Sequence, residues 1–591
     1  MKRLRRLLSE TFNNFLPLKE YFFRNRWMLF MGVVSLLLTD FLHLLIPLVI
    51  KKAIDLLTIK GAMPRMLLWQ SAIILGIALL MALFRYIWRH CLLGHSRWVE
   101  ESLRNRIYEH LQTLSPSFFI KAKTGDLMAR AINDMNAIRM ATGLGLVALV
   151  DGIVLGTAAI GFMLAINMKL ALISLIPAPV VVVVTRILTR RMSTGFEAAQ
   201  NTFSDLTERI REAFEGIHVI KAYNRETWEH GRVKREGERY VDRNMELAKI
   251  LGLFFPMMAL FTNTGLAIVI WFGGRLAILG HITTGDFVAF ISYLNLLTWP
   301  MMAMGWVTNL IQRGSASMRR INRVLDEKPE IKDVPNPRII PRARGKIDIR
   351  GLTFRYPGQE EPALEEIHLT VHEGETVAIV GRVGSGKTTL LKAIPRLLDI
   401  PRGSVFLDGT DILEISLSSL RQNIGFVTQE AVLFSDTIRN NIIFGRSGIS
   451  EKDLEAVLRA ADIFDEIQAL ERGTDTLLGE RGVTLSGGQR QRLTIARALL
   501  LDPPILILDD ALSMIDTRTE SRVLDYILRM RRHRTNLIVS HRVSTISEAD
   551  RIIALERGRI VEQGTHGELI EQGGTYAALY EREILTQELN L

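Results

Sequence analysis

Apolar positions crowd the first half of the chain into stretches near 27–50, 67–88, 143–165, 168–188, 250–274 and 285–308. Each is about 20 residues or longer, enough to cross about 30 Å of hydrocarbon as a helix. Six crossings return the chain to its starting side. After residue 346 the pattern changes to short apolar runs, among them Thr376-Val-Ala-Ile-Val380, Ile505-Leu-Ile-Leu508 and Asn536-Leu-Ile-Val-Ser540. These read as buried strands. The expected architecture is an all-α six-helix transmembrane domain over 27–327, followed by an α/β domain over 347–581.

Between spans, residues 89–141 and 189–249 are too long and too charged to be simple connections. Trp98-Val-Glu-Glu-Ser-Leu-Arg-Asn-Arg-Ile107 is helical in pattern with an apolar stripe, so the membrane helices should extend well beyond the bilayer. Glu327-Lys-Pro-Glu-Ile-Lys-Asp-Val-Pro-Asn-Pro-Arg338 is polar and proline-rich, which places a linker at 328–346. Residues 1–26 form a basic N-terminus and 582–591 a short tail.

Basic residues set the orientation. Lys2, Arg3, Arg5, Arg6, Lys19, Arg24 and Arg26 precede the first span, and Arg97, Arg104, Arg106, Lys121, Lys123, Arg130 and Arg139 lie between the second and third. The 165–168 and 275–284 connections carry almost none, although Lys51, Lys52, Lys60 and Arg65 weaken the asymmetry. By the positive-inside rule the N-terminus and the second domain are cytoplasmic, in a multi-pass protein of the inner membrane.

Hydrophobic content of 48% fits a chain half in lipid. A net charge of +10 raises the question of nucleic acid. The cations cluster beside the spans, however, where anionic headgroups account for them, and no nucleic-acid partner is expected. The single cysteine, Cys91, forbids an intrachain disulfide. The first span is too long for a cleavable signal peptide and lacks a small-residue cleavage pattern.

Chemistry enters at Gly381-Arg-Val-Gly-Ser-Gly-Lys-Thr388, of the form G-x-x-x-x-G-K-[ST]. Gly381, Gly384 and Gly386 let backbone N–H groups close on phosphates, with Arg382, Val383 and Ser385 completing the loop. Lys387 adds a positive charge, Thr388 a hydroxyl for Mg²⁺, and Thr389 opens the following helix. Asp509, at the end of its apolar run, suits Mg²⁺ coordination, and Asp510 the orientation of attacking water. His541, after another run, stands where it could reach the terminal phosphate. ATP and Mg²⁺ are the implied ligands.

From Ile347 to about Glu581 the chain resembles the nucleotide-binding domain of the ATP-binding cassette (ABC) transporters. The signature Leu485-Ser-Gly-Gly-Gln489 is specific to that superfamily. Further matches are the Phe-Arg-Tyr-Pro-Gly motif with Tyr356, Phe-Val-Thr-Gln-Glu with Gln429, Gly479-Glu-Arg-Gly482 and Val-Ser-His-Arg with His541. The resemblance implies adenine stacking on Tyr356, a role for Gln429 at the metal and the attacking water, and a signature that closes over ATP held by a second chain.

Ser117 to Arg139 and Leu206 to Glu226 resemble the two intracellular loops of type I exporters. The family's short transverse helices are expected at Ser117 to Ile120 and Leu206 to Glu215. Fusion of membrane and ATPase parts favours export, and the implied substrates are hydrophobic drugs or lipids. Inside the spans the candidate substrate contacts are Asp40, His43, Asn295 and Trp299, with Asp151, Asn263 and Met301 to Met304 also noted. The bland reading of each is helix packing. Pro177, Pro179 and Pro300 are expected to bend their helices.

One departure changes the expected mechanism. Most active members carry Glu after the Mg²⁺ aspartate, whereas this chain carries Asp510. Asp is shorter by a methylene, a displacement of more than about 1 Å, which can cost on the order of a hundredfold in rate. The combination resembles the degenerate-site subunit of bacterial heterodimeric multidrug exporters, with a different half-chain bearing Glu as partner. A homodimer with Asp510 as an adequate base, and a nucleotide-sensing membrane regulator, remain the alternatives. A soluble ABC ATPase does not fit six spans.

Overall fold

A computed structural model describes residues 13–58, 64–479, 485–540, 542 and 546–589. The chain divides into two compact units. One holds the described residues up to Gln112 together with Lys123–Glu327, and the other holds Thr113–Ala122 together with the described residues from Lys328 onward.

The first unit is helical. Among the described residues, five helices are long and apolar enough to cross a membrane: Arg26–Thr58, Pro64–Thr113, Thr124–Ile166, Met168–Glu215 and Thr284–Leu325. The 250–274 stretch begins in a further long helix, Glu226–Ile268, which is not among those five, and continues through the wider turn Val269–Gly273. Exposed side chains such as Phe30, Leu68, Leu75, Leu79 and Ile153 give the surface the apolar character that hydrocarbon requires.

Inside this unit, Leu44, Leu155, Phe290 and Tyr293 form a buried cluster. Tyr293 stacks on Phe162 with ring centroids 5.3 Å apart, and its hydroxyl donates to the Leu44 carbonyl at 2.9 Å. A second cluster joins Val99, Leu103, Met135, Met318 and Ile321. Beside it Asp134 accepts from Ser317 at 2.9 Å and from Arg320 Nε at 2.8 Å.

Two expectations change here. Within the span Met168–Glu215, Pro177 stands just after a two-residue break instead of bending an unbroken helix. Asn167 caps a short segment, Met168–Ser174, and Pro177 is the first residue of a new one, Pro177–Glu215, where a fixed φ and a missing N–H cost nothing. Likewise Leu206 to Glu215 is not a separate transverse helix but the end of that long helix. It stops at Gly216, and the short helix follows at Ile217–Ala222. Pro300 lies inside Thr284–Leu325 without ending it.

The second unit is α/β. Its six-stranded sheet has the order β10-β9-β3-β8-β7-β6. These strands are β3 (Thr376–Val380), β6 (Ile424–Val427), β7 (Ile505–Asp509), β8 (Thr535–Val539), β9 (Arg551–Glu556) and β10 (Arg559–Gly564). All pairings are parallel except β9 with β10. A four-stranded antiparallel sheet joins β1 (Ile347–Phe354), β2 (Leu364–Val371), β4 (Val405–Leu407) and β5 (Thr410–Asp411) in the order β2-β1-β4-β5.

The interiors of β3, β7 and β8 are wholly buried, as their unbroken apolar runs require. The short helix Pro116–Lys121 belongs to this unit, where the Ile331 N–H donates to Ser115 Oγ at 2.9 Å and Ser117 bonds Glu330. Part of the proline-rich stretch is also held here, since the Arg338 backbone bonds Glu414 and Ser416.

Candidate active site

β3 delivers the chain into a loop that only glycine can follow. Gly381 and Gly386 have φ of +151° and +105°. A Cβ on Gly381 would lie 2.3 Å from the Leu555 carbonyl oxygen, and one on Gly386 2.7 Å from that of Ala363. The loop therefore closes as bare backbone. Lys387 opens the helix Lys387–Ala393, and its buried Nζ donates to the carbonyls of Gly381 at 2.7 Å and Arg382 at 3.0 Å. Burial holds its pKa below the ordinary lysine value, against the opposing pull of Asp510 and Asp509.

Ser385 Oγ in the same loop is buried with no hydrogen-bond partner. Val383, at the tip, is 90% exposed. A buried ammonium, an orphaned hydroxyl and a close-fitting glycine loop suit a chain of phosphates.

Asp509 ends β7 opposite Val539 of β8 and accepts from Thr388 Oγ1 at 2.9 Å. Burial raises its pKa, partly countered by that hydrogen bond and by Lys392. A hydroxyl and a destabilised carboxylate side by side fit Mg²⁺, which would relieve the cost of the buried charge.

Asp510 follows in the left-handed region, with φ +51°. Its N–H donates to the Val539 carbonyl at 3.1 Å, and its Oδ2 accepts from Gln429 Nε2 at 3.2 Å. These groups share a cleft of about 380 Å³ with Tyr356, Gly384 and Thr389. Tyr356 meets Phe354 edge-on at 5.0 Å, and its hydroxyl is 3.3 Å from Thr389 Oγ1. Gln359, Ala363 and Val539 also line the cleft. Sequence reading missed them; the signal for Gln359 is its place just after the Phe-Arg-Tyr-Pro-Gly motif.

The signature lies at a helix start. Leu485 is buried, and Ser486 and Gln489 form a reciprocal capping box at the head of Gly487–Leu500. Gln489 Nε2 donates to Glu466 at 2.8 Å. Gly487 and Gly488 pack on Met514, where added Cβ atoms would meet its Sδ at 2.9 Å and its carbonyl oxygen at 3.0 Å. Gln491 accepts from the Met514 N–H at 2.9 Å and donates to Ser513, whose hydroxyl donates to the Asp510 carbonyl at 3.0 Å. A short chain of hydrogen bonds thus joins the signature helix to Asp510. His541 and residues 480–482 of the Gly479 motif lie outside the described residues, as does the basic N-terminus through residue 12.

Two family models match the chain: the ABC transporter transmembrane region over residues 29–301 and the ABC transporter over 364–513. The chain is 36% identical over 574 residues to the multidrug resistance-like ATP-binding protein MdlA of Escherichia coli, covering 97% of each. It is 39% identical over 479 residues to the ATP-dependent lipid A-core flippase of Syntrophus aciditrophicus, covering 81% of this chain and 79% of that protein. A bacterial Atm1-family ABC exporter solved with ATP bound superimposes with a TM-score of 0.79 at 30% identity, over 94% of this chain and 99% of that one. The chain is an ABC transporter of the exporter type.

This exporter fuses a helical transmembrane part to an ATP-hydrolysing domain in one multi-pass inner-membrane protein, and couples hydrolysis to transport. Its transmembrane unit gathers all four candidate substrate contacts into one cavity of about 270 Å³. Asp40 and His43 come from Arg26–Thr58, and Asn295 and Trp299 from Thr284–Leu325. Asp151 joins them, with Arg85 and Trp88. Sequence reading passed over the last two, although a cation within an apolar span is a signal of its own.

Proposed function

We propose that this exporter moves hydrophobic or amphipathic compounds, drugs or lipids, outward across the membrane as one half of a heterodimer. Its own ATP site is slow, and its signature completes the fast site of a partner that carries Glu in place of Asp510. The observation that carries this reading is Asp510 itself, a short carboxylate at the position that orients water. The names of its multidrug-type and lipid-flipping relatives support the substrate class.

The geometry of the cleft supports a role for each of these residues. The glycine loop and Lys387 hold the phosphates, Tyr356 receives the adenine, and Thr388, Asp509 and Gln429 hold Mg²⁺. Bound Mg²⁺ supplies charge neutralisation at the phosphate oxygens. Asp510, drawn toward Gln429 and one methylene short, orients water poorly. ATP therefore stays bound here for longer than at the partner's site. His541 is assigned to sensing the terminal phosphate.

Six spans, with 250–274 as the fifth, put both termini and the ATPase domain in the cytoplasm. Thr284–Leu325 has 42 residues. At 1.5 Å per residue such a helix runs about 63 Å, twice the hydrocarbon thickness, which supports extension of the membrane helices into the cytoplasm. The short helices Pro116–Lys121 and Ile217–Ala222 are the segments we assign to coupling.

Uptake of a fluorescent lipophilic compound into inside-out vesicles tests the whole reading. ATP-dependent uptake is expected only when this chain and a Glu-bearing half-chain are both present. ATP-stimulated uptake by this chain alone contradicts the heterodimer, and nucleotide binding without uptake by the pair points to a sensor.

A further inference from the structure

The loop joining β1 to β2 contributes a wall of the nucleotide cleft. It is closed at its base, where the Ala363 N–H donates to the Phe354 carbonyl at 2.8 Å, and its residues Tyr356, Gln359 and Ala363 line the cleft. Tyr356-Pro-Gly-Gln359 is a type II turn. Proline fixes the first central position, Gly358 follows with φ +86°, and the Gln359 N–H donates to the Tyr356 carbonyl at 3.1 Å. Such a turn brings the Cα atoms of its first and last residues within about 7 Å. Tyr356 is itself held, edge-on to Phe354 and with its hydroxyl 3.3 Å from Thr389 Oγ1. An amide side chain therefore shares a wall with an aromatic ring whose place is set.

Polar groups elsewhere in the cleft have other partners. Lys387 bonds two loop carbonyls, Thr388 bonds Asp509, and Gln429 bonds Asp510. Gln359 stands apart from the phosphate loop in the sequence and beside the ring in the fold. Adenine presents a donor and an acceptor on its N6/N7 edge, and a carboxamide matches both with its oxygen and its NH₂. Guanine presents two acceptors there, N7 and O6, so an amide oxygen meets an oxygen. Stacking alone separates the two bases poorly, because each has a π-face.

We propose that Gln359 reads the N6/N7 edge of the bound base and makes this cleft select adenine over guanine. The inference rests on the reading that Tyr356 receives the adenine, and it adds the contact that discriminates. Tyr356 supplies affinity for either purine, and Gln359 supplies the choice. Gln359 is exposed, so water competes for its amide and the selectivity falls at the low end of what a paired amide provides, about fivefold.

The test uses the full-length chain in nanodiscs with Mg²⁺, a ribose-labelled fluorescent ATP analogue, and three competitors: ATP, GTP and 7-deaza-ATP. The last keeps the amine of adenine and lacks the N7 acceptor. Wild type is expected to bind ATP about fivefold more tightly than either of the other two. Gln359→Ala is expected to bring ATP and 7-deaza-ATP within about twofold of each other, by weakening ATP rather than by strengthening the analogue. Gln359→Glu keeps an acceptor for the amine and loses the donor to N7. It should also equalise ATP and 7-deaza-ATP, while weakening GTP further.

Equal affinity of wild type for ATP and 7-deaza-ATP overturns the proposal with no variant needed. An ATP-to-analogue ratio that Gln359→Ala leaves unchanged overturns it as well. Tyr356→Ala is measured in parallel and is expected to weaken all three competitors together. Weakening of all three without any Gln359-dependent ratio removes the base-reading role alone. A Gln359-dependent ratio with no effect of Tyr356→Ala removes the stacking alone.

Discussion

Gln429 Nε2 donates to Asp510 Oδ2 across 3.2 Å, tying the segment after β6 to the residue after β7. Both residues line the nucleotide cleft. Through the Asp510 carbonyl, Ser513 and Gln491 the same residue is linked to the signature helix. One aspartate therefore links this chain's own cradle to its signature helix.

Asp510 also occupies a left-handed backbone conformation that Asp tolerates better than Glu, since its short side chain bonds locally. Asp510→Glu is expected to lower the melting temperature of the ATPase domain by ~2–4 °C, the shift that about 1 kcal/mol produces in a domain of this size. Calorimetry on the full chain checks it. An unchanged or raised melting temperature shows that the backbone relaxes there at no cost.

Asp509→Asn should have opposite effects on stability and on function. Because burial raises the pKa of Asp509, the folded state binds its proton more tightly than the unfolded state does. Its contribution therefore grows as pH falls, and its ionised form costs stability near neutrality. Asn keeps an acceptor for Thr388 and removes the charge. Thermal unfolding without nucleotide at pH 7.5 should move up by ~2–4 °C, while Mg²⁺-dependent hydrolysis is lost. Wild-type affinity for Mg²⁺–ATP should also begin to fall on acidification above the ordinary aspartate value of about 3.9. Titration of a fluorescent ATP analogue across pH reads that flank.

Gly487 separates fold from function in the signature. A Cβ there would meet only the flexible end of Met514, and alanine favours a helix start over glycine. Gly487→Ala should leave the melting temperature within ~2 °C. Paired with a half-chain that carries Glu at the matching position, it should cut steady-state ATP turnover more than tenfold. If turnover is unaffected, the signature does not serve the partner's site.

The nucleotide site was legible because phosphate binding fixes residue types at fixed spacing. Gly386, Lys387 and Thr388 can be read from eight letters, and the apolar runs before Gly381 and Asp509 place them at strand ends. The left-handed turn at Asp510 could not be read, since nothing in Asp-Asp-Ala announces where Val539 takes the backbone bond. The second short helix was misplaced because the amphipathic pattern runs without interruption to Glu215, and only Gly216 marks the stop. Arg85 was missed for a related reason. A cation near the end of a span reads as snorkelling to the interface until the fold sets it beside Asp40 and Asp151.

ATP turnover by this chain alone, compared with its Asp510→Glu variant under saturating Mg²⁺–ATP, tests the central claim most directly. The lone wild type is expected to bind ATP and turn it over slowly, with Glu restoring at least tenfold of the roughly hundredfold that a misplacement of about 1 Å removes. Vigorous hydrolysis by the lone wild type, unchanged by Glu, would contradict the slow site and leave Asp510 an adequate base.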